Sequence, residues 1–178
     1  MPLWITIIFA IISALTIFAV VGVYKRGEKP YAESALSSYV FYLIAFIAIW
    51  IFDLPVPTFI IVLTMLTVFI SGFFGHYLGW YIKSKVFDRY LHAFGSFSFA
   101  LLAYFMVTGI ITTGESKIFQ ALFVFTAGMT LGSVFELSEA SHDRGNVLKN
   151  QKGLKDTNMD MLCDLLGSFA AGVFYFFL

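Results

Sequence analysis

The sequence predicts an all-α integral membrane protein, a polytopic bundle of six transmembrane helices, and three observations carry that prediction. The 178 residues are 60% hydrophobic and 12% charged, about half the charge of an ordinary soluble domain. The mean hydropathy is +0.87, which leaves far too much apolar surface for a soluble or disordered chain. Third, the apolar residues fall into six runs long enough to cross about 30 Å of hydrocarbon, which takes about 20 residues of helix.

The runs are residues 3–24, 36–52, 58–82, 90–112, 118–139 and 158–178. The first is too long for the apolar core of a secretory signal and has no Lys or Arg before it, so it reads as a retained span. Pro2, Pro30, Pro55 and Pro57 lie at run ends or in loops, so continuous helices are expected throughout. With short loops and no internal repeat, residues 1–178 read as a single membrane domain. Cys163 is the only cysteine, which excludes an intrachain disulfide.

The charges set the orientation. Lys25, Arg26 and Lys29 fall in the first loop, Lys83, Lys85 and Arg89 in the third, and Arg144, Lys149, Lys152 and Lys155 in the fifth; Lys117 alone lies on the other side. Cytoplasmic loops carry excess Lys and Arg. Loops one, three and five are therefore expected in the cytoplasm of a cell-membrane protein, and both ends of the chain on the opposite face. A formal net charge of zero provides no basic field for nucleic acid, which is excluded as a partner.

Ionisable side chains inside spans are costly and point to function. Here His76, Asp88, His92, Glu136, Glu139, Asp160 and Asp164 all fall in the cytoplasmic third of their helices, with Asp156 just before the sixth. Residues four apart share a helix face. Asp160, Asp164, Ser168 and Gly172 form one row, Gly128, Gly132 and Glu136 a second, and Asp88, His92, Ser96 and Ala100 a third. Rows of small residues are where membrane helices approach most closely, so the polar heads should converge inside the bundle. The first two runs carry no ionisable group and read as scaffold.

Several of these residues have structural alternatives. Asp88 fits an N-cap of the fourth helix as well as a ligand, as does Asp156 for the sixth, and Thr157 with Asp160 fits a capping box. His76 reads as a core histidine bonded to a backbone carbonyl. Glu139, His142 and Asp143 read as a solvated helix end. Glu136 and Asp164 need a positive counterpart: a loop residue such as Arg144, a proton, or a bound cation. With His92 they suit a divalent ion, the oxygen-rich set favouring Mg, Mn or Fe and the imidazole leaving Zn open.

The segments Phe87-Asp88-Arg89-Tyr90-Leu91-His92-Ala93-Phe94-Gly95, Val134-Phe135-Glu136-Leu137-Ser138-Glu139 and Asp156-Thr157-Asn158-Met159-Asp160-Met161, closing with Gly167 and Gly172, resemble the YjdF-like inner-membrane proteins. More distantly they resemble the VanZ-like family, with its Asp-x-x-x-His helix start, intramembrane Glu and late Asp. The resemblance covers residues 87–172 and implies Asp88, His92, Glu136, Asp156 and Asp160 as positions of a shared polar site, without naming a reaction.

Three functions fit these residues. In a metal-dependent enzyme acting on an anionic lipid or lipid-linked head group, His92, Glu136, Asp160 and Asp156 hold the ion, while Asp164 and Asp88 serve catalysis, Asp164 as a supporting or bridging acid. In a cation or solute transporter the same acids line a path, although the outer helix halves carry no titratable relay. In a non-catalytic protein they fix helix register, and the Gly-rich faces support a homo-oligomer in the lipid bilayer.

Overall fold

A computed structural model of the chain describes residues 2–84, 86–111, 114 and 116–178. Lys85 of the basic third loop and Thr112, the expected end of the fourth span, lie outside the described residues. The elements are α1 (Leu3–Lys25), α2 (Lys29–Ile51), α3 (Thr58–Phe69), a wider π-helical continuation of α3 (Ile70–Tyr77), a short α4 (Trp80–Lys83), α5 (Phe87–Ile110), α6 (Lys117–His142) and α7 (Leu154–Phe177). Six of them, with α3 and its continuation counted together, are long and apolar enough to cross a membrane. Among the described residues there is no strand.

Three expectations change in detail. The second helix starts at Lys29 with Pro30 in its first turn, a position where the missing N–H costs nothing, so Lys29 and Glu33 lie within it, both exposed. The sixth begins at Leu154, which removes Thr157 from the N-cap position. The third is not uniformly α-helical: it widens over Ile70–Tyr77, and Leu78 N–H closes on Phe73 C=O at 2.9 Å. Arg26, at the end of α1, donates to the carbonyls of His76 (3.2 Å) and Tyr77 (3.0 Å) and so satisfies the end of the widened segment. Gly75 leaves room for the Tyr81 ring, whose atoms would come within 2.7 Å and 2.9 Å of an added Cβ even beyond its closest contact. Tyr81 thereby folds back from α4 to meet Ser71, hydroxyl to hydroxyl, at 2.9 Å. π-Helical segments frequently mark functional regions.

Helices α5, α6 and α7 form a tight trio held by small residues. An added Cβ at Gly167 would collide with the Ala93 carbonyl of α5, one at Gly128 with Ser168 and Ala100, and one at Gly172 with the Ala121 carbonyl. The glycine rows are thus used inside the chain, where they bring the polar faces of the three helices together. Helices α1 to α3 pack beside the trio through a core that includes Ile5, Tyr42, Phe46, Ile60, Met65 and Leu101. The outward faces carry Trp50, Ile44, Leu137, Phe177 and many similar side chains, as expected where the surrounding solvent is hydrocarbon.

Candidate metal centre

Each helix of the trio delivers one polar row. In α5, Asp88, His92 and Ser96 follow at four-residue spacing; in α7, Asp160 and Asp164 do; in α6, Glu136 and Glu139 lie one turn apart. All of these side chains are buried, Asp164 at 2% exposure and Asp160 at 3%. A buried charge demands partners, and the pattern of partners defines the site.

Asp164 is saturated. Its carboxylate accepts from Ser96 Oγ at 2.5 Å and lies 3.2 and 3.3 Å from His92 Nδ1. Gly132 makes the space: an added Cβ there would sit 2.6 Å from the Asp164 carboxylate. With Nδ1 engaged, His92 Nε2 points the other way, to Glu136 Oε1 at 3.6 Å and Asp88 Oδ1 at 3.7 Å. One ligand atom each from Asp88, His92 and Asp160 lie within 4.8 Å of one another. An ion bound at about 2.0–2.2 Å needs ligand atoms roughly 3–4.4 Å apart, so a small inward movement would close this set on a metal. Among the described residues, two buried oxygens, Glu136 Oε1 and Asp160 Oδ1, have no hydrogen-bond partner. Of the two, Glu136 Oε1 lies 3.6 Å from His92 Nε2, and carboxylate and imidazole are ligand types that could hold a divalent cation.

The loop between α6 and α7 roofs the cluster. The Asp143 carboxylate accepts from Asn150 N–H (2.7 Å), Asn150 Nδ2 (2.9 Å) and Gln151 N–H (2.9 Å), while Lys149 Nζ donates to the Asp143 carbonyl. Gln151 Nε2 then donates to Glu136, both to its carbonyl (3.0 Å) and to Oε2 (2.8 Å). Lys152 Nζ donates to Asp88 Oδ2 at 3.1 Å and lies 3.7 Å from Asp156 Oδ2. Burial opposes the Lys152 charge, but the carboxylates of Asp88, Asp156 and Asp160, Asp88 foremost, together outweigh it and hold the ammonium pKa above the ordinary lysine value. Burial, with Asp88 adding, pushes the Tyr81 hydroxyl well above the usual phenol range, so it stays a neutral partner to Ser71.

The residues singled out by sequence fall into two groups. Asp88, His92, Asp160 and Asp164 meet directly, and Glu136 joins through His92 Nε2. Asp156 stands to one side, accepting from Lys152 N–H at 3.3 Å and pairing with its ammonium. Asp88 caps nothing: Ser84 Oγ accepts the N–H groups of Val86 and Phe87 at the start of α5. Arg144, the loop residue expected to offset Glu136 and Asp164, is exposed; the group at ion-pair distance from both acids is His92, and the loop lysine Lys152 pairs with Asp88 and Asp156 instead. His76 lies between the rings of Tyr31 and Tyr81, and among the described residues no hydrogen bond to its ring is seen. Glu139 and Asp143, read from sequence as part of a solvated helix end, are instead buried; for Glu139 the spacing of three from Glu136 was the available signal. Gln151, Lys152 and Asp143 carry no sequence signal of their contacts, because a loop's path has no period.

Residues 4–178 match the family described as "Predicted membrane protein (DUF2238)". The chain belongs to this family, the YjdF-like proteins. An uncharacterised protein of Thermotoga maritima is 31% identical over 106 residues, 58% of this chain and 54% of the relative, so the DUF2238 chain spans about half the length of the curated relative it matches. No solved structure matches.

Proposed function

We propose that this DUF2238 protein holds a divalent cation between α5, α6 and α7, with Asp88, His92 Nε2, Asp160 and Glu136 as ligands and Asp164 as the residue that aims His92. The observation that carries the reading is the split role of His92. One nitrogen is engaged by the Asp164 carboxylate, and the other faces Asp88 Oδ1 and Glu136 Oε1, the latter without a hydrogen-bond partner among the described residues, the arrangement in which an outer carboxylate fixes tautomer and ring orientation for a metal-binding imidazole. One nitrogen among carboxylates suits Mg, Mn, Fe or Zn. Asp156 belongs to the rim, where it steadies Lys152.

The site would serve a metal-dependent reaction on a lipid or lipid-linked head group. A bound ion there would polarise a phosphoryl or carbonyl oxygen or activate water. The chain supplies ligands, a roof from Gln151 and Lys152, and the basic loop side chains Arg144, Lys149 and Lys155, which favour an anionic group at the mouth. The positive-inside bias of the basic loops supports a mouth at the cytoplasmic face. The more distant VanZ-like resemblance rests on the motif positions alone and adds no reaction.

Metal analysis of protein purified from membranes tests the reading. Wild type should carry a stoichiometric divalent ion, and Glu136→Gln and Asp160→Asn should lose it. Equal content in all three, or none in wild type, overturns it. Variants that gain thermal stability without losing any activity in cells would mark the acids as structural.

A further inference from the structure

We infer that the cavity beside His92 is a slot for a single hydrocarbon chain of a membrane lipid, entering from the bilayer between α2 and α6. The cavity encloses about 300 Å³, the lower end of the range for ligand pockets, about 300–1,000 Å³, enough for one chain segment and too small for two. Its walls come from α2, α3 with its π-helical continuation, α5 and α6 and are mostly carbon, with Val68, Phe99, Leu131 and Phe135 among them. His92 and Asp164 form its polar end.

The opening says what fills it. Phe41 on α2 and Val134 on α6 line the cavity and are also exposed, 55% and 54%. Phe41 lies twelve residues into α2 from Lys29, and Val134 lies eight residues before the end of α6 at His142. At 1.5 Å per residue those are depths of about 18 Å and about 12 Å from the basic side. The mouth therefore opens into hydrocarbon, where the surrounding solvent is lipid tails and an unfilled carbon-lined space forfeits its dispersion contacts.

The polar lining agrees with an apolar occupant. Ser37 and Ser38 donate to the Ser34 carbonyl, Thr67 to the Leu63 carbonyl and Ser96 to Asp164, so these hydroxyl hydrogens are spent within the protein. Ser71 and Tyr81 pair hydroxyl to hydroxyl and Ser138 Oγ lies 3.5 Å from His142 Nδ1, so each lining hydroxyl has a partner within the protein and the rest of the wall, up to the His92 end, is carbon. A lipid seated with its chain here would bring its polar group to His92 and Asp164, next to the ligand set proposed above. That last step rests on the metal reading, whereas the slot itself does not.

A single-chain lipid carrying a photoreactive diazirine near its methyl end, incorporated into membranes with the full chain, tests the slot. Cross-links are expected on the wall segments 91–99 and 131–135. Ser38→Phe, which fills the cavity from α2, and Val134→Trp, at its mouth, should each reduce those cross-links severalfold while leaving labelling of the outward face of α1, at Ile11 and Phe18, unchanged. Wall segments labelled no more than background, or labelled equally in both variants, overturn the slot. Glu136→Gln separates the two readings, because Glu136 is not a wall residue. Cavity cross-links retained in a metal-free Glu136→Gln protein support the slot by itself, and bound metal without wall cross-links in wild type overturns the slot alone.

Discussion

His92 Nδ1 lies 3.2 Å from an Asp164 carboxylate oxygen that Ser96 also engages, so one acid on α7 fixes how the imidazole on α5 is turned. Among the described residues Asp164 faces no other basic group at this distance, and its link to Asp88 and Glu136 runs through the ring. Asp164→Asn keeps the shape and removes the charge that favours the Nδ1–H tautomer. Loss of such an outer partner costs about 10–100-fold in metal affinity. The expected result is that drop in calorimetric or competition titration with little change in the purified protein's fold. Unchanged affinity would sink the aiming role.

Gly132 tests the same relationship from α6. Alanine is the better helix former by about 1 kcal/mol, so local propensity predicts a gain. A Cβ at 2.6 Å from the Asp164 carboxylate instead forces Asp164 or α6 to move, and overpacking costs about 1–3 kcal/mol. Gly132→Ala is therefore expected to lower the melting temperature and weaken metal binding together. Gly114→Ala, where an added Cβ meets nothing within 4 Å, should change neither. A Gly132→Ala protein as stable and as tight-binding as wild type would contradict the packing described.

Much of this site is legible in sequence because helices are periodic. Asp88 and His92, or Asp160 and Asp164, share a face by spacing alone, and the glycine rows tell which faces meet. The six spans follow from hydrocarbon thickness, which leaves few alternatives. The division of labour within the cluster does not follow from either rule. That Asp164 aims His92 while Asp160 keeps a free oxygen depends on helix rotations of a few tens of degrees. The widening of α3 at Ile70–Tyr77 is a tertiary effect, stabilised by Arg26 from another helix. That Lys152 reaches Asp88 while Arg144 stays exposed depends on the turn that Asp143 ties, with Gly145 and Gly153 at positive φ.

The orientation can be tested apart from the chemistry. In a Cys163→Ser background, Gly114→Cys and Val147→Cys place thiols at exposed positions on opposite loop sets, Val147 at 95% exposure. A membrane-impermeant maleimide added to intact cells should label Gly114→Cys at once and Val147→Cys only after permeabilisation. The reverse pattern would invert the topology and put the mouth of the site outside.

Lys152 competes with any bound cation for Asp88. Its ammonium holds Asp88 Oδ2 at 3.1 Å while Asp88 Oδ1 faces His92 Nε2, so a metal and this lysine would draw on one carboxylate and repel each other across a few ångströms. In partly screened surroundings the repulsion remains worth on the order of 1 kcal/mol or more. Lys152→Met keeps the length of the side chain and removes the charge. Two opposite effects are then expected. Without metal, Asp88 and Asp156 lose their counter-ion and the melting temperature falls; with metal, affinity rises, by about fivefold or more. Parallel thermal melts with and without added Mn or Zn read both, and the variant should gain a larger metal-dependent shift than wild type. A smaller shift would mean that Lys152 supports the bound ion, by holding Asp88 in place, more than it competes with it.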